Sequence, residues 1–151
     1  DKWHKYEEVA AASLSFLPDW SEAEVAAVVA EELENDAALF VSSSRPIRDI
    51  ESFAVPRGGI ETYANRGLAG IDGNISTAMG IASKRDETYA VIGDLAFLHD
   101  ISALTNSTAD TLTIIVVDND GGGIFSTLPQ RGVDGFEKIF GTILPPTTSW
   151  P

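Results

Sequence analysis

The chain has 151 residues, 44% of them hydrophobic and 22% charged, and its 10 Lys and Arg against 23 Asp and Glu give a formal net charge of −13. This length suits one domain with a single buried core, and the acidic balance argues against nucleic acid or an anionic membrane as the main partner. The lack of Cys excludes disulfides, thiolate zinc sites and a cysteine nucleophile, and it agrees with the reducing cytoplasm, where we expect the protein.

The first half of the chain predicts three helices and a strand. Residues 1–15 predict a short helix with an apolar face. Ser21 begins a capping box, and apolar residues at helical spacing predict a helix over 22–33. The apolar run 37–41 predicts a buried strand, and Pro46 then favours the first turn of another helix.

Apolar runs between polar or glycine-rich turns define the second half. In chain order they predict a strand over 60–64, a glycine-rich loop over 65–73, a helix over 75–83, a strand over 88–92, a helix over 96–104 and a strand over 112–117. Strands that are apolar on both faces and alternate with helices indicate an α/β fold, a three-layer, mostly parallel sheet with helices on both faces. We expect one domain over 1–151, with an irregular tail from Gly141 and no membrane span.

Three polar clusters follow the predicted strands, at 42–44, at Gly93-Asp94 and at 118–123. The carboxyl ends of parallel strands share one edge of a sheet, so these clusters should meet there. The Asp94 carboxylate, the Asn119 amide and glycine carbonyls form the oxygen set that Mg²⁺ takes, often shared with a ligand phosphate. The alternative is that Asp94 and Asn119 are turn or helix-capping residues.

Gly93-Asp94 and, one strand–helix–strand unit later, Asp118-Asn119 resemble the thiamine-diphosphate motif, although Leu95 replaces a Gly and Asp118 an Asn of that motif. Together with 65–78, 93–100 and 119–125, they resemble the 2-succinyl-5-enolpyruvyl-6-hydroxy-3-cyclohexene-1-carboxylate (SEPHCHC) synthases of menaquinone biosynthesis, in which a Gly-Asp-Leu opening is usual. The resemblance covers roughly residues 20–140.

The resemblance implies a cofactor site of thiamine diphosphate with Mg²⁺, or with Mn²⁺ as the alternative ion. Asp94 and Asn119 would bind the metal through their side chains, and Gly121 through its carbonyl. The diphosphate would lie on three residues, partly on their backbone N–H groups: Ser44, Gly93 and Leu95.

The resemblance also implies an apolar lining and two substrate-binding cations. Ile71 would be the wedge that bends the cofactor, and an apolar wall near the reacting carbon would consist of Ile124, Phe125 and Leu128. Arg48 and Arg66 would bind substrate carboxylates, for which the planar guanidinium is suited. The alternatives are core packing for the apolar residues and surface ion pairs for the arginines. The roles of three further polar residues stay open: Asp72, His99 and Asp120.

In this family the cofactor lies between two domains, usually of different subunits, and the pyrimidine-side domain carries the activating glutamate. The enzyme decarboxylates 2-oxoglutarate and adds the succinyl carbanion to isochorismate. This sequence matches only the diphosphate side, so we expect an inactive C-terminal fragment without a catalytic residue of its own, from a homodimeric or tetrameric enzyme. Two alternatives remain: another thiamine-diphosphate enzyme of the acetolactate synthase or 2-oxo acid decarboxylase type, and a non-catalytic α/β nucleotide-binding module.

Overall fold

The structure is a computed structural model that describes residues 2–106 and 110–140, the side chains at 106 and 137 excepted. Its helices and strands, in chain order, are α1 Lys2–Leu14, α2 Glu22–Glu32, β1 Ala38–Val41, α3 Arg45–Phe53, β2 Glu61–Tyr63, α4 Asn74–Ala82, β3 Thr88–Gly93, α5 Asp94–Asp100, β4 Leu112–Val117 and α6 Phe136–Phe140. Two 3₁₀ helices, Ile101–Asn106 and Gly123–Thr127, follow α5 and β4. The tail predicted to be irregular from Gly141 lies outside the described residues.

The four strands form one parallel sheet in the order β2-β1-β3-β4, which confirms the predicted fold class. In the centre of the sheet Phe40 pairs with Ala90, and Ala90 pairs with Ile114. From β1 the chain passes outward to β2 on one side, and from β3 it passes outward to β4 on the other. The winding therefore reverses between β1 and β3, and the carboxyl ends of these two strands open a crevice of the kind that binds ligands in such sheets.

Alternate residues of the strands face two separate hydrophobic clusters. On one face, Phe40 of β1 and Ile92 of β3 pack with Ile75 of α4. On the other, Leu39 and Val41 pack with Val29 of α2, with Leu33 directly after that helix, and with partly buried residues of α3. Burial of each large apolar side chain stabilises the fold by about 1.5–3 kcal/mol. The helices thus cover both faces of the sheet, as the apolar runs predict.

The N-cap predicted at Ser21 is confirmed, since the Ser21 hydroxyl accepts a hydrogen bond from the Glu24 N–H at 3.2 Å. The second bond of the predicted capping box forms one residue before the N-cap and not at the Ser21 N–H. The Glu24 carboxylate in turn accepts from the N–H of Trp20. Because each bond satisfies an N–H group near the start of α2, the helix begins at a defined residue.

Two helices differ from the sequence prediction. The first predicted helix forms as α1, but none of its residues is buried and Val9 is 61% exposed, so its apolar side chains do not reach the core. The helix predicted over 96–104 begins earlier, at Asp94, and continues as a 3₁₀ helix after Asp100. Among the described residues, no helix is both long and apolar enough to cross a lipid bilayer.

Candidate functional site

The turn between β1 and α3 is the first wall of the site. Ser44 has φ 75° and ψ −129°, a conformation that costs a non-glycine residue of order 1–3 kcal/mol and that clusters at functional sites. The Arg48 guanidinium donates to the Ser44 carbonyl oxygen at 2.6 Å, which stabilises this turn. The Ser43 hydroxyl donates to the Gly70 carbonyl oxygen at 2.7 Å and ties the glycine-rich loop to the end of β1.

Asp94, the first residue of α5, comes directly after β3 and binds the loop that follows β4. Its carboxylate is buried, and its Oδ2 atom accepts hydrogen bonds from the N–H of Asn119 at 3.2 Å and of Gly121 at 2.8 Å. Its Oδ1 atom accepts from the N–H of Leu95 at 2.7 Å. The loop turns around this carboxylate through positive φ values at Asp120 and the two glycines after it. The structure therefore brings the ends of β3 and β4 into direct contact.

The Asn119 side chain is held at both ends. Its Nδ2 atom donates to Glu22 Oε1 at 2.8 Å, and its Oδ1 atom accepts from the Gly123 N–H at 3.1 Å. A Cβ at Gly123 would lie 2.7 Å from the Asn119 Cγ atom, so a larger residue would displace the amide. The orientation of this amide is thus defined by contacts on both sides.

Glu22 belongs to a chain of charges between α2 and α3. Its Oε2 atom lies 3.3 Å from Arg45 Nη2, which also lies 2.9 Å from Asp49 Oδ1. Burial raises the pKa of the Asp49 carboxyl above its usual 3.8, although the Arg45 guanidinium beside it opposes the shift. The positive charge of Arg45 therefore compensates the negative charges of two carboxylates next to the site, one partly and one fully buried.

A cavity of about 220 Å³ opens at the crevice between the ends of β1 and β3. It is lined by residues from the ends of three strands and from the glycine-rich loop: Ser43, Ser44, Arg45, Pro46, Ile71, Gly93, Asp94, Leu95, Ala96, Asn119, Gly122, Gly123, Ile124 and Phe125. Eight predicted site residues are among them: Ser44, Ile71, Gly93, Asp94, Leu95, Asn119, Ile124 and Phe125. The three polar clusters do meet at one edge of the sheet.

Four of the predicted site residues do not line this cavity. Gly121 is linked to the cavity through the hydrogen bond that its N–H donates to Asp94. Arg48 is exposed and bonded to the β1–α3 turn, Arg66 is exposed in the glycine-rich loop, and Leu128 is 39% exposed. The metal-binding role of Gly121 and the substrate-binding roles of Arg48, Arg66 and Leu128 stay predictions.

Sequence reasoning missed Arg45 and Glu22, and it placed Ser43 in a polar cluster at the sheet edge without a role of its own. Arg45 and Ser43 stand within or beside the polar cluster that follows β1, so their position was the signal that could have identified them. Glu22 gave no such signal, because it lies 97 residues before Asn119 and its position in a first helical turn is explained by capping alone.

The donors at this edge fit a hard cation that shares its ligands with a phosphate. In the part of the chain that the structure describes, no three His, Asp or Glu side chains form a metal-binding cluster. A cation here would therefore depend on one carboxylate, that of Asp94, with the Asn119 amide oxygen and a glycine carbonyl. Mg²⁺ takes such neutral oxygens together with one or two carboxylates and ligand phosphates, so the set is chemically suitable.

No protein-family model matches the chain. The 2-succinyl-5-enolpyruvyl-6-hydroxy-3-cyclohexene-1-carboxylate synthase of Lysinibacillus sphaericus (strain C3-41) is 45% identical over 152 aligned residues, which cover 93% of this chain and 26% of that protein. The proteins of the same name from Thermobifida fusca (strain YX) and Nocardia farcinica (strain IFM 10152) are 45% and 43% identical, over 81% and 91% of this chain and 24% and 27% of their own length. The resemblance is confirmed, and the chain spans about a quarter of these relatives.

Proposed function

We propose that this chain is the C-terminal, diphosphate- and Mg²⁺-binding domain of a SEPHCHC synthase, a cytoplasmic thiamine-diphosphate-dependent transferase. The complete enzyme would decarboxylate 2-oxoglutarate and add the succinyl unit to isochorismate in menaquinone biosynthesis. Identity of 43–45% to proteins of that name supports the family. The site itself supports the division of labour, because one edge of the sheet gathers the groups that a diphosphate and its metal need.

The observation that carries the proposal is the contact between Asp94 and the loop after β4, in the crevice where the winding of the sheet reverses. Ligands of parallel α/β sheets bind at such crevices. A buried carboxylate there, beside an amide oxygen and a strained serine turn, is more than a helix cap requires. Three N–H donors hold the carboxylate, two on Oδ2 and one on Oδ1, and they leave one lone pair on Oδ1 for a cation.

In this proposal Asp94 and Asn119 hold Mg²⁺, with Mn²⁺ as a substitute, and Gly121 adds its carbonyl. Ser44, Gly93 and Leu95 line the part of the cavity where the diphosphate would lie. Thiamine diphosphate, when bound, supplies the nucleophilic carbon and the electron sink that loss of CO₂ from a 2-oxo acid requires.

The other cavity residues would give the site its shape and exclude water from it. Ile71 is 40% exposed at the mouth, where an apolar side chain can support the bend of the cofactor. Ile124 and Phe125 form an apolar wall that would exclude water from the reacting carbon. Arg48 and Arg66, both exposed, are the cations assigned to substrate carboxylates, since guanidinium groups pair with carboxylates in a bidentate manner.

The remaining parts of the enzyme complete the site. The pyrimidine-side domain, with its activating glutamate, would belong to the rest of the protein and to another subunit of a dimer or tetramer. The chain alone would be inactive, because it covers about a quarter of its relatives.

Calorimetry on this chain and on the full-length enzyme tests the proposal, with thiamine diphosphate and NAD each titrated with and without Mg²⁺. We expect Mg²⁺-dependent heat with thiamine diphosphate only, weaker for the chain than for the enzyme. Heat with NAD alone would instead favour a nucleotide-binding module. SEPHCHC formation from isochorismate and 2-oxoglutarate, expected of the enzyme and not of the chain, then identifies the substrates against other thiamine-diphosphate enzymes.

A further inference from the structure

We infer that Glu22, on α2, is a positioning residue that turns the oxygen of the Asn119 amide toward the metal. The inference rests on the proposed function and adds a residue to its metal site. Glu22 does not line the cavity, so it acts through Asn119 rather than by touching a ligand.

The two ends of the Asn119 amide have different hydrogen-bonding chemistry. An asparagine side chain has one end that accepts and one that donates hydrogen bonds, and only its oxygen can bind Mg²⁺. An ionised glutamate can only accept hydrogen bonds. Glu22 Oε1, 2.8 Å from the Asn119 nitrogen, therefore requires the NH₂ group to face α2 and the oxygen to face the opposite way.

The opposite side of the amide agrees with this orientation. The Gly123 N–H lies 3.1 Å from the Asn119 oxygen, and a donor at this point also rejects the flipped amide. Asn119 and Gly123 both line the cavity, so the amide and the N–H that holds its oxygen lie at the cavity wall. A carbonyl oxygen has two lone pairs, and one N–H leaves the second free for a cation.

Arg45 keeps Glu22 in its place. Arg45 Nη2 lies 3.3 Å from Glu22 Oε2, so the two carboxylate oxygens have different partners, a cation on one and an amide on the other. Substitution of Glu22 by Gln would replace one of these two acceptor oxygens by an NH₂ group, which can only donate. The Gln oxygen would face Arg45, which only donates, and its NH₂ group would face the Asn119 nitrogen. Either orientation of the Asn119 amide would then set its NH₂ group against a donor, the new NH₂ group or the Gly123 N–H, so its oxygen would no longer be fixed toward the metal.

The test measures Mn²⁺ affinity directly, from the loss of the free Mn²⁺ signal in electron paramagnetic resonance, for the full-length enzyme with thiamine diphosphate. Glu22→Gln is expected to weaken Mn²⁺ binding by roughly 10-fold or more, the usual effect of losing a residue that orients a metal ligand. Glu32→Gln, an exposed glutamate at the other end of α2, is the matched control and should leave the affinity unchanged. Circular dichroism and thermal unfolding check that each variant is folded.

The same substitution in an Asn119→Asp enzyme separates an effect on the orientation of the amide from general damage to the site. Asp at position 119 has two equivalent oxygens, so its orientation no longer matters. Glu22→Gln should therefore lower the Mn²⁺ affinity of the Asn119→Asp enzyme by less than about twofold, although it lowers that of the natural enzyme by roughly 10-fold. Equal losses in both backgrounds, or no loss in either, would overturn the inference while the proposed function stands. Absence of Mn²⁺ binding in the unmodified enzyme would overturn both.

Discussion

Replacement of Asp94 by Ala tests the link between β3 and the loop after β4. The change removes the acceptor of three backbone N–H groups, those of Leu95, Asn119 and Gly121. A buried donor that loses its partner costs about 1–3 kcal/mol, and water from the cavity can reach part of this loop. The expected loss in the free energy of unfolding is therefore about 2–4 kcal/mol, a large part of the roughly 5–15 kcal/mol typical of a domain.

Urea unfolding followed by circular dichroism measures this loss on the chain itself. Asp86→Ala, at an exposed position in the turn before β3, is the control and should change the free energy of unfolding by less than about 0.5 kcal/mol. Amide hydrogen exchange should become faster at Asn119 and Gly121 in Asp94→Ala. A loss below about 0.5 kcal/mol, or unchanged exchange at these two amides, would refute the reasoning.

Three further changes test the core, the loop and the charge chain. Ile75→Ala, at a fully buried position, should lower the free energy of unfolding by about 2–5 kcal/mol in urea, whereas Leu68→Ala, at a 93% exposed position, should not. Gly122→Ala forces a Cβ onto φ 71° and within 2.9 Å of the Phe140 carbonyl oxygen, so it should cost more than about 1 kcal/mol in the same assay. Burial raises the pKa of the Asp49 carboxyl above its usual 3.8, so the stability that its protonated form contributes is lost as pH rises above that value. The free energy of unfolding of the natural chain should therefore fall relative to that of Asp49→Asn as pH rises from 3.8, measured by urea unfolding at each pH.

The sheet could be predicted from the sequence because its strands are apolar runs that lie between polar or glycine-rich turns. The predicted strand over 112–117 matches β4, and the one over 88–92 lacks a single residue of β3. The helix predicted over 96–104 was placed late, since Asp94 suggests a turn by its residue type and yet begins α5. Apolar spacing in α1 predicted a face but could not tell that nothing in the described structure covers it.

The metal-binding part of the site could be predicted because its residues follow strands. Asp94 and Asn119 stand at strand ends, and parallel topology alone brings them to one edge. Glu22 comes from a distant helix, and contacts of that kind leave no periodic trace in a single sequence. The positive φ at Ser44 was equally hidden, because serine is an ordinary residue in turns and rarely adopts that conformation.

The central claim, that Asp94 binds a divalent ion and through it a diphosphate, is tested most directly by the affinity of the full-length enzyme for thiamine diphosphate as Mg²⁺ is varied. The account predicts that affinity rises with Mg²⁺ in the natural enzyme and in Asp86→Asn, and that Asp94→Asn abolishes the rise. An Asp94→Asn enzyme that is folded and still gains affinity with Mg²⁺ as the natural enzyme does would contradict it.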